Sequence, residues 1–287
     1  MTMHTKVSGV WKQINGVYVK VSGTWKTVES IHANVGGTWK EIFGGLGENG
    51  NDDYTVLLIH ADGADASTVF TDSSHIGRVV TTQGNAHVTT GQSKFGGASM
   101  ALDGAGDDVY CDDSADFDYG SGDFTIDFWA RHTALPGPGG ATFYWDRGGD
   151  DLYIYNDSGT YKVYCDFGGI TRMIGNVTIT TNTWYHWAVV RNGSSFNVYQ
   201  DGVSVASTTD ADTITDITAS LYIGIQRTGS YALQGQMDEF RISKGIARWT
   251  ADFTPPTAAY GGGTPSSIPF RGMFKGMWRR TGRLFTL

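Results

Sequence analysis

An all-β sandwich follows from three features of this 287-residue sequence. Forty glycines and fourteen tyrosines accompany frequent turn signals, the composition of many short strands joined by tight turns. In Asp123-Phe124-Thr125-Ile126-Asp127-Phe128-Trp129-Ala130-Arg131, Phe124, Ile126 and Phe128 alternate onto one face, as in a half-buried strand. No segment keeps a helical period for more than about one turn.

The first 43 residues are a repeat. Val7-Ser8-Gly9-Val10-Trp11-Lys12, Val21-Ser22-Gly23-Thr24-Trp25-Lys26 and Val35-Gly36-Gly37-Thr38-Trp39-Lys40 recur every 14 residues. Turn signals between them, Asn15-Gly16 included, predict an antiparallel β-meander of short strands. Pairing across Ser22-Gly23 sets Val21 opposite Thr24, Val19 opposite Lys26 and Val17 opposite Val28. Both faces are then half apolar. Such a sheet is marginal alone, so residues 1–43 are expected to order against another chain. A trimer is favoured, with Trp11, Trp25 and Trp39 as docking residues.

A glycine-rich linker, 44–52, leads into a long acidic β-domain, 53–260. Its further strands are Trp184 to Arg191, a hairpin from Asn197 to Val205 turning on Asp201-Gly202, Leu221 to Ile225, and Gln236 to Ile242. Many strands at this spacing imply a sandwich or jelly roll. Residues 261–287 begin as a Gly/Pro linker and end as an irregular basic-aromatic tail. Phe274, Trp278, Arg279 and Arg280 are its candidate docking residues.

Charge is uneven: residues 1–50 carry +2, residues 51–260 carry −15 and residues 261–287 carry +5. The acidic middle argues against nucleic acid as partner. No apolar run approaches the roughly 20 residues that cross a bilayer, so no membrane insertion is expected. The N-terminus lacks the apolar core of a signal peptide, which points to synthesis in a cytosol. In that compartment Cys111 and Cys165 read as buried free thiols rather than a disulfide.

Six blocks carry a family resemblance. They are Leu57-Leu58-Ile59-His60-Ala61-Asp62-Gly63, Phe70-Thr71-Asp72-Ser73-Ser74, Ser93-Lys94-Phe95-Gly96-Gly97-Ala98-Ser99, Gly122-Asp123-Phe124-Thr125-Ile126-Asp127-Phe128-Trp129, Trp184-Tyr185-His186-Trp187-Ala188-Val189-Val190-Arg191, and Met237 to Trp249. In this order, residues 54–260 resemble the laminin-G-like, concanavalin-A-like jelly rolls common in bacteriophage virion proteins. The Gly-x-Trp-Lys repeat is similar to segments of phage tail proteins. The resemblance implies a structural protein of the virion, made in the host cytoplasm and bound to other virion proteins. A tail-associated fibre or adhesin contacting host surface glycans is the first reading. A capsid or tail decoration protein with a purely structural sandwich is the alternative.

An enzyme is not expected. Glucanases with this sandwich set two Glu and one Asp on one strand, because retaining hydrolysis needs carboxyls about 5–5.5 Å apart. Residues 51–260 hold a single Glu, Glu239. His186 reads as a satisfied structural residue. Asp62 and Asp238, with Asp103, Asp107 and Asp108, are candidates for a structural Ca²⁺, which takes six to eight oxygens; turn chemistry is the plainer reading. For glycan contact the richest text is Trp145, Arg147, Asp150 and Asp151 with Tyr153 and Tyr155, followed by Arg227 and Tyr231. Core packing is the competing account of Trp145, Tyr153 and Tyr155.

Overall fold

The computed structural model describes residues 51–261 and, upstream of them, the backbone of six strands between His4 and Gly44. Those six are β1 (His4–Val7), β2 (Val10–Gln13), β3 (Tyr18–Val21), β4 (Thr24–Thr27), β5 (Ser30–Val35) and β6 (Thr38–Gly44). They pair as three separate hairpins, β1-β2, β3-β4 and β5-β6. Each pair joins the two strands of one 14-residue repeat, antiparallel as the sequence predicts. The expected register holds within the second hairpin, with Val21 opposite Thr24 and Val19 opposite Lys26. The side chains of Trp11, Trp25 and Trp39, and all of Phe274, Trp278, Arg279 and Arg280, lie outside the described residues.

Residues Asn51–Tyr260 form one compact unit made of two antiparallel sheets. The eight-stranded sheet contains β7 (Thr55–Ile59), β9 (His87–Thr89), β10 (Ser99–Asp103), β12 (Phe124–His132), β17 (Trp184–Asn192), β18 (Ser195–Gln200), β19 (Val203–Thr209) and β21 (Gln234–Lys244). The seven-stranded sheet contains β8 (Thr81–Gln83), β11 (Asp108–Cys111), β13 (Ala141–Asp146), β14 (Asp151–Asp157), β15 (Thr160–Phe167), β16 (Ile170–Asn176) and β20 (Leu221–Ile223), in the order β16-β15-β14-β13-β20-β11-β8. One 3-10 turn, Ala115–Phe117, is the helical content of this unit. The β18-β19 hairpin turns on Asp201 (φ 51°) and Gly202 (φ 79°), the two positive angles of a type I′ turn.

Period-2 alternation builds the core. Phe124, Ile126, Phe128, Trp187, Val189, Phe240 and Ile242 point inward from one sheet; Trp145, Leu152, Ile154, Val163, Cys165 and Ile223 meet them from the other. Each such side chain is fully buried or nearly so, contributing about 1.5–3 kcal/mol of transfer free energy. Cys111 and Cys165 are buried free thiols, and burial pushes the Cys111 thiol up to about 12.

The outer face of the eight-stranded sheet is covered over β12, β17, β18 and β21. Residues 245–260 run across it, stacking Trp249 on Phe253 and packing both against His186. Tyr260 closes the strap: its hydroxyl meets His186 Nε2 at 3.1 Å and its amide donates to Glu239 at 2.6 Å. Beneath it Arg241 holds Asp127 through two hydrogen bonds of 2.9 and 3.0 Å, both side chains fully buried. Burial alone would raise the Asp127 carboxyl; the Arg241 charge outweighs it and brings the group to about 2. His186 is structural, as expected.

Candidate functional site

The outer face of the seven-stranded sheet is the other surface of the sandwich, and its register assembles the chemistry. Across five strands, directly opposed residues run Tyr110, Tyr222, Asp146, Asp151 and Asp166. Directly opposed residues share a face, so three carboxylates stand side by side with two tyrosines at one end. Tyr110 and Tyr222 stack with centroids 5.5 Å apart. One step along the strands, a second row runs Phe143, Tyr153, Tyr164 and Ile174. Phe143 stacks on Tyr153 at 4.5 Å and Tyr153 on Tyr164 at 5.1 Å.

A loop walls the site. Gln226 and Ser230 bridge across its turn. It places Arg227 N on Asp146 Oδ2 at 2.7 Å and the Tyr231 ring on Phe143 at 6.1 Å. Tyr231 is 51% exposed and keeps a free ring face, whereas the rings between it and Tyr164 spend their faces on each other. The rest of the row therefore presents ring edges and hydroxyls outward.

The carboxylates are not equivalent. Asp146 is satisfied, with Oδ1 accepting from Gly148 N and Oδ2 from Arg227 N. Asp166 accepts from Thr171 with one oxygen, while its Oδ1 is buried and has no hydrogen-bond partner. Asp151 is 7% exposed and its Oδ1 also has none. Burial, reinforced by Asp166, Asp146 and Asp150, pushes Asp151 up to about 8.

Five of the expected glycan residues, Asp151, Tyr153, Tyr155, Arg227 and Tyr231, come together here. Three do not. Trp145 is 1% exposed and belongs to the core. The reason is a β-bulge: pairing of β13 with β14 shifts between Phe143 and Trp145, so Tyr144 and Trp145 both turn inward and Asp146 emerges outside. Arg147 is buried in a structural network, donating to Phe117 O at 3.0 Å, Asp113 at 2.9 Å, Asp216 at 2.8 Å and Asp150 at 3.4 Å. Asp150 completes that network by accepting from Gly168 N at 2.7 Å. Asp146, Asp166, Tyr164 and Phe143 were missed. The only textual signal is that Asp146 ends β13, Asp151 begins β14 and Asp166 is next to last in β15, which becomes meaningful once the strands are paired.

The calcium candidates divide in two. β21 passes from β10 to β7 at Asp238-Glu239, and Glu239 sits there at φ 55°. Asp238 Oδ2 accepts from Lys94 N at 2.7 Å and Phe95 N at 3.1 Å; its Oδ1 is buried without a partner. Asp62 lies in the same neighbourhood, raising the Asp238 carboxyl through space, and it fills the space where a Cβ on Gly96 would fall. An orphaned buried oxygen beside a second carboxylate fits a cation. Asp103 does not join them: it pairs opposite Gln234, accepts from Asn85 and Ala105, and stands four residues along β21 from Asp238. Asp107 takes Asn85 N and Asp103 N, which is turn chemistry. Asp108, on β11, keeps one unpartnered buried oxygen and is raised to about 6 by burial and Asp107. Among the described residues no three His, Cys, Asp or Glu side chains form a metal-holding set, and no helix is long and apolar enough to cross a membrane.

Solved structures similar to the chain share this sandwich. The binding domain of Paraclostridial Mosquitocidal Protein 1 matches with a TM-score of 0.51 and 15% identity, over 68% of this chain and 50% of that one. Domain 4 of AbnA, an extracellular arabinanase of Geobacillus stearothermophilus solved with arabinotriose, matches with a TM-score of 0.50 and 18% identity, over 67% and 93%. The binding domain of Botulinum Neurotoxin DC, solved with SialylT, gives 0.51 and 13%, over 69% and 50%. The chain thus spans half the length of the two toxin domains. At these identities the likeness is one of fold. No curated protein matches the sequence. A family model matches residues 103–248, just over half the chain, and by it the protein belongs to the concanavalin A-like lectin/glucanases superfamily.

Proposed function

We propose that this protein is a bacteriophage virion component whose sandwich binds glycan on the outer face of its seven-stranded sheet. One observation carries the reading. The middle of one sheet's outer face is covered by residues 245–260. The other carries a row of carboxylates beside a row of aromatic rings, flanked by an exposed tyrosine. Carboxylates accept from sugar hydroxyls, and the free Tyr231 face excludes water against a ring. Sandwiches of this fold solved with arabinotriose and SialylT support it. The Gly-x-Trp-Lys repeat supports placement on a tail, as a fibre or adhesin docked to other virion proteins.

The site binds rather than cleaves. Glu239, the one glutamate of residues 51–260, is committed to His60 at 2.7 Å and to Tyr260 N. A calcium held by Asp62, Asp238 and main-chain oxygens plays a structural part at the β21 handover.

Full-length protein on a glycan array tests the function. Wild type is expected to retain a defined glycan class, and the Tyr231→Ala/Asp166→Asn double variant to lose it without a fall in melting temperature. An array with no retained glycan, or equal retention by the double variant, refutes the reading. Host-cell binding that disappears with the same variant supports the adhesin role. Unaltered cell binding by the variant rejects it.

A further inference from the structure

Arginine neutralises three other acids of this unit. Asp52 is paired with Arg248, Asp127 with Arg241 and Asp150 with Arg147. Asp146, Asp151 and Asp166 stand adjacent on β13, β14 and β15, and among the described residues none of them forms an ion pair with a basic side chain. Asp151 and Asp166 each aim a buried, unpartnered Oδ1 from neighbouring strands. Leaving such groups unpaired costs free energy that the fold does not recover internally.

The missing partner is therefore a donor with charge. A single metal ion fits poorly, because among the described residues no three His, Cys, Asp or Glu side chains form a set that could hold one. An alkylammonium fits well. It has three N–H donors on one atom, able to bridge the opposed Asp151 and Asp166 carboxylates from the outer face of the sheet. The tyrosine row beside them offers edges and hydroxyls suited to the rest of a sugar. Anionic glycans meet three carboxylates, none of which is ion-paired with an arginine among the described residues.

We propose that Asp151 and Asp166 form a subsite for a protonated amine, so that the preferred ligand is a glycan carrying free amino groups, an amino sugar. The proposal rests on glycan binding at this face. Two carboxylates on neighbouring strands do not both ionise readily, and burial with the nearby acids raises Asp151 to about 8, which favours its protonated form at neutral pH. An ammonium takes over the proton's role. Binding then releases that proton, and the complex keeps both carboxylates ionised.

The test is titration calorimetry of the full chain near pH 6.5 with a chito-oligosaccharide tetramer bearing free amines and with its fully N-acetylated counterpart. These ligands share a backbone and differ in charge. The free-amine form is expected to bind at least about tenfold more tightly, the scale of one charge-assisted contact. Asp151→Asn and Asp166→Asn should each erase that advantage. Equal or better binding of the acetylated form overturns the proposal. So does equally tight binding of a lysine tetrapeptide, which would show that the site reads charge without sugar. If neither tetramer binds while neutral glycans on the array do so through Tyr231, the amino-sugar assignment falls and the binding face stands. If no glycan binds at all, both fall.

Discussion

Replacing Asp151 by asparagine should make the protein more stable, and increasingly so as pH rises. In the folded state this carboxyl holds its proton up to about pH 8; once unfolded it ionises near its ordinary value of 3.8. Between those limits the unfolded state binds fewer protons, so stability falls as pH rises through the window. At about 1.4 kcal/mol per pH unit, the cost to wild type is about 1 kcal/mol at pH 4.5 and at most about 4 kcal/mol at pH 7. Asparagine keeps the shape, cannot ionise and can donate to the Asp166 carboxylate across the β14-β15 ladder. For a unit of this size, 1 kcal/mol moves the melting point by about 2–4 °C, so the gap between variant and wild type should widen by several degrees from pH 4.5 to pH 7. Calorimetric melting of both proteins across that range measures it. A gap that does not change with pH, or a variant that melts below wild type at pH 7, would show that Asp151 is satisfied by a partner and that the acidic row is ordinary surface. Ligand binding should move oppositely to stability in this variant, the usual exchange at a functional site.

Trp145→Ala should cost about 3–5 kcal/mol, as for a buried aromatic truncated to a cavity; a variant with unchanged melting would place Trp145 outside the core. Asp127→Ala strands the fully buried Arg241 guanidinium and should cost about 3–5 kcal/mol, while Asp157→Ala, which breaks an exposed pair with Lys162, should cost under about 1 kcal/mol. Similar losses from both, in denaturant melts, would contradict the burial assignments. Chelator should lower the melting temperature of wild type and leave Asp238→Ala indifferent; superimposable wild-type curves with and without chelator dispose of the calcium.

The sandwich was legible because period-2 alternation in Phe124–Ile126–Phe128 and the Asp201-Gly202 turn report local geometry directly. Half of the site was legible for a weaker reason. Asp151, Tyr153, Arg227 and Tyr231 stood out as polar and aromatic residues in glycine-rich text. Which face each occupies depends on strand phase, and the bulge at Tyr144 inverts that phase within β13, leaving Trp145 in the core and bringing Asp146 out. Asp166 and Tyr164 lie more than ten residues from the cluster and reach it only by cross-strand pairing, a non-local fact that no window of sequence contains. The N-terminal repeat was read as one sheet because hairpin signals occur at every turn. Among the described strands the pairings given fall within repeats.

The strap of residues 245–260 has a mechanical consequence. At its start, Arg248 grips Asp52 at 2.9 Å, just before β7 begins; at its end, Tyr260 N grips Glu239, whose carboxylate also holds His60, just after β7 ends. The chain thus enters the sandwich at one end of β7 and leaves at the other. A pull between residues 51 and 261 loads the β7-β21 ladder and the strap along their length, so that their bonds share the load rather than opening one after another. A module wired in this way can carry tension between its flanking segments while the seven-stranded face stays out of the line of force.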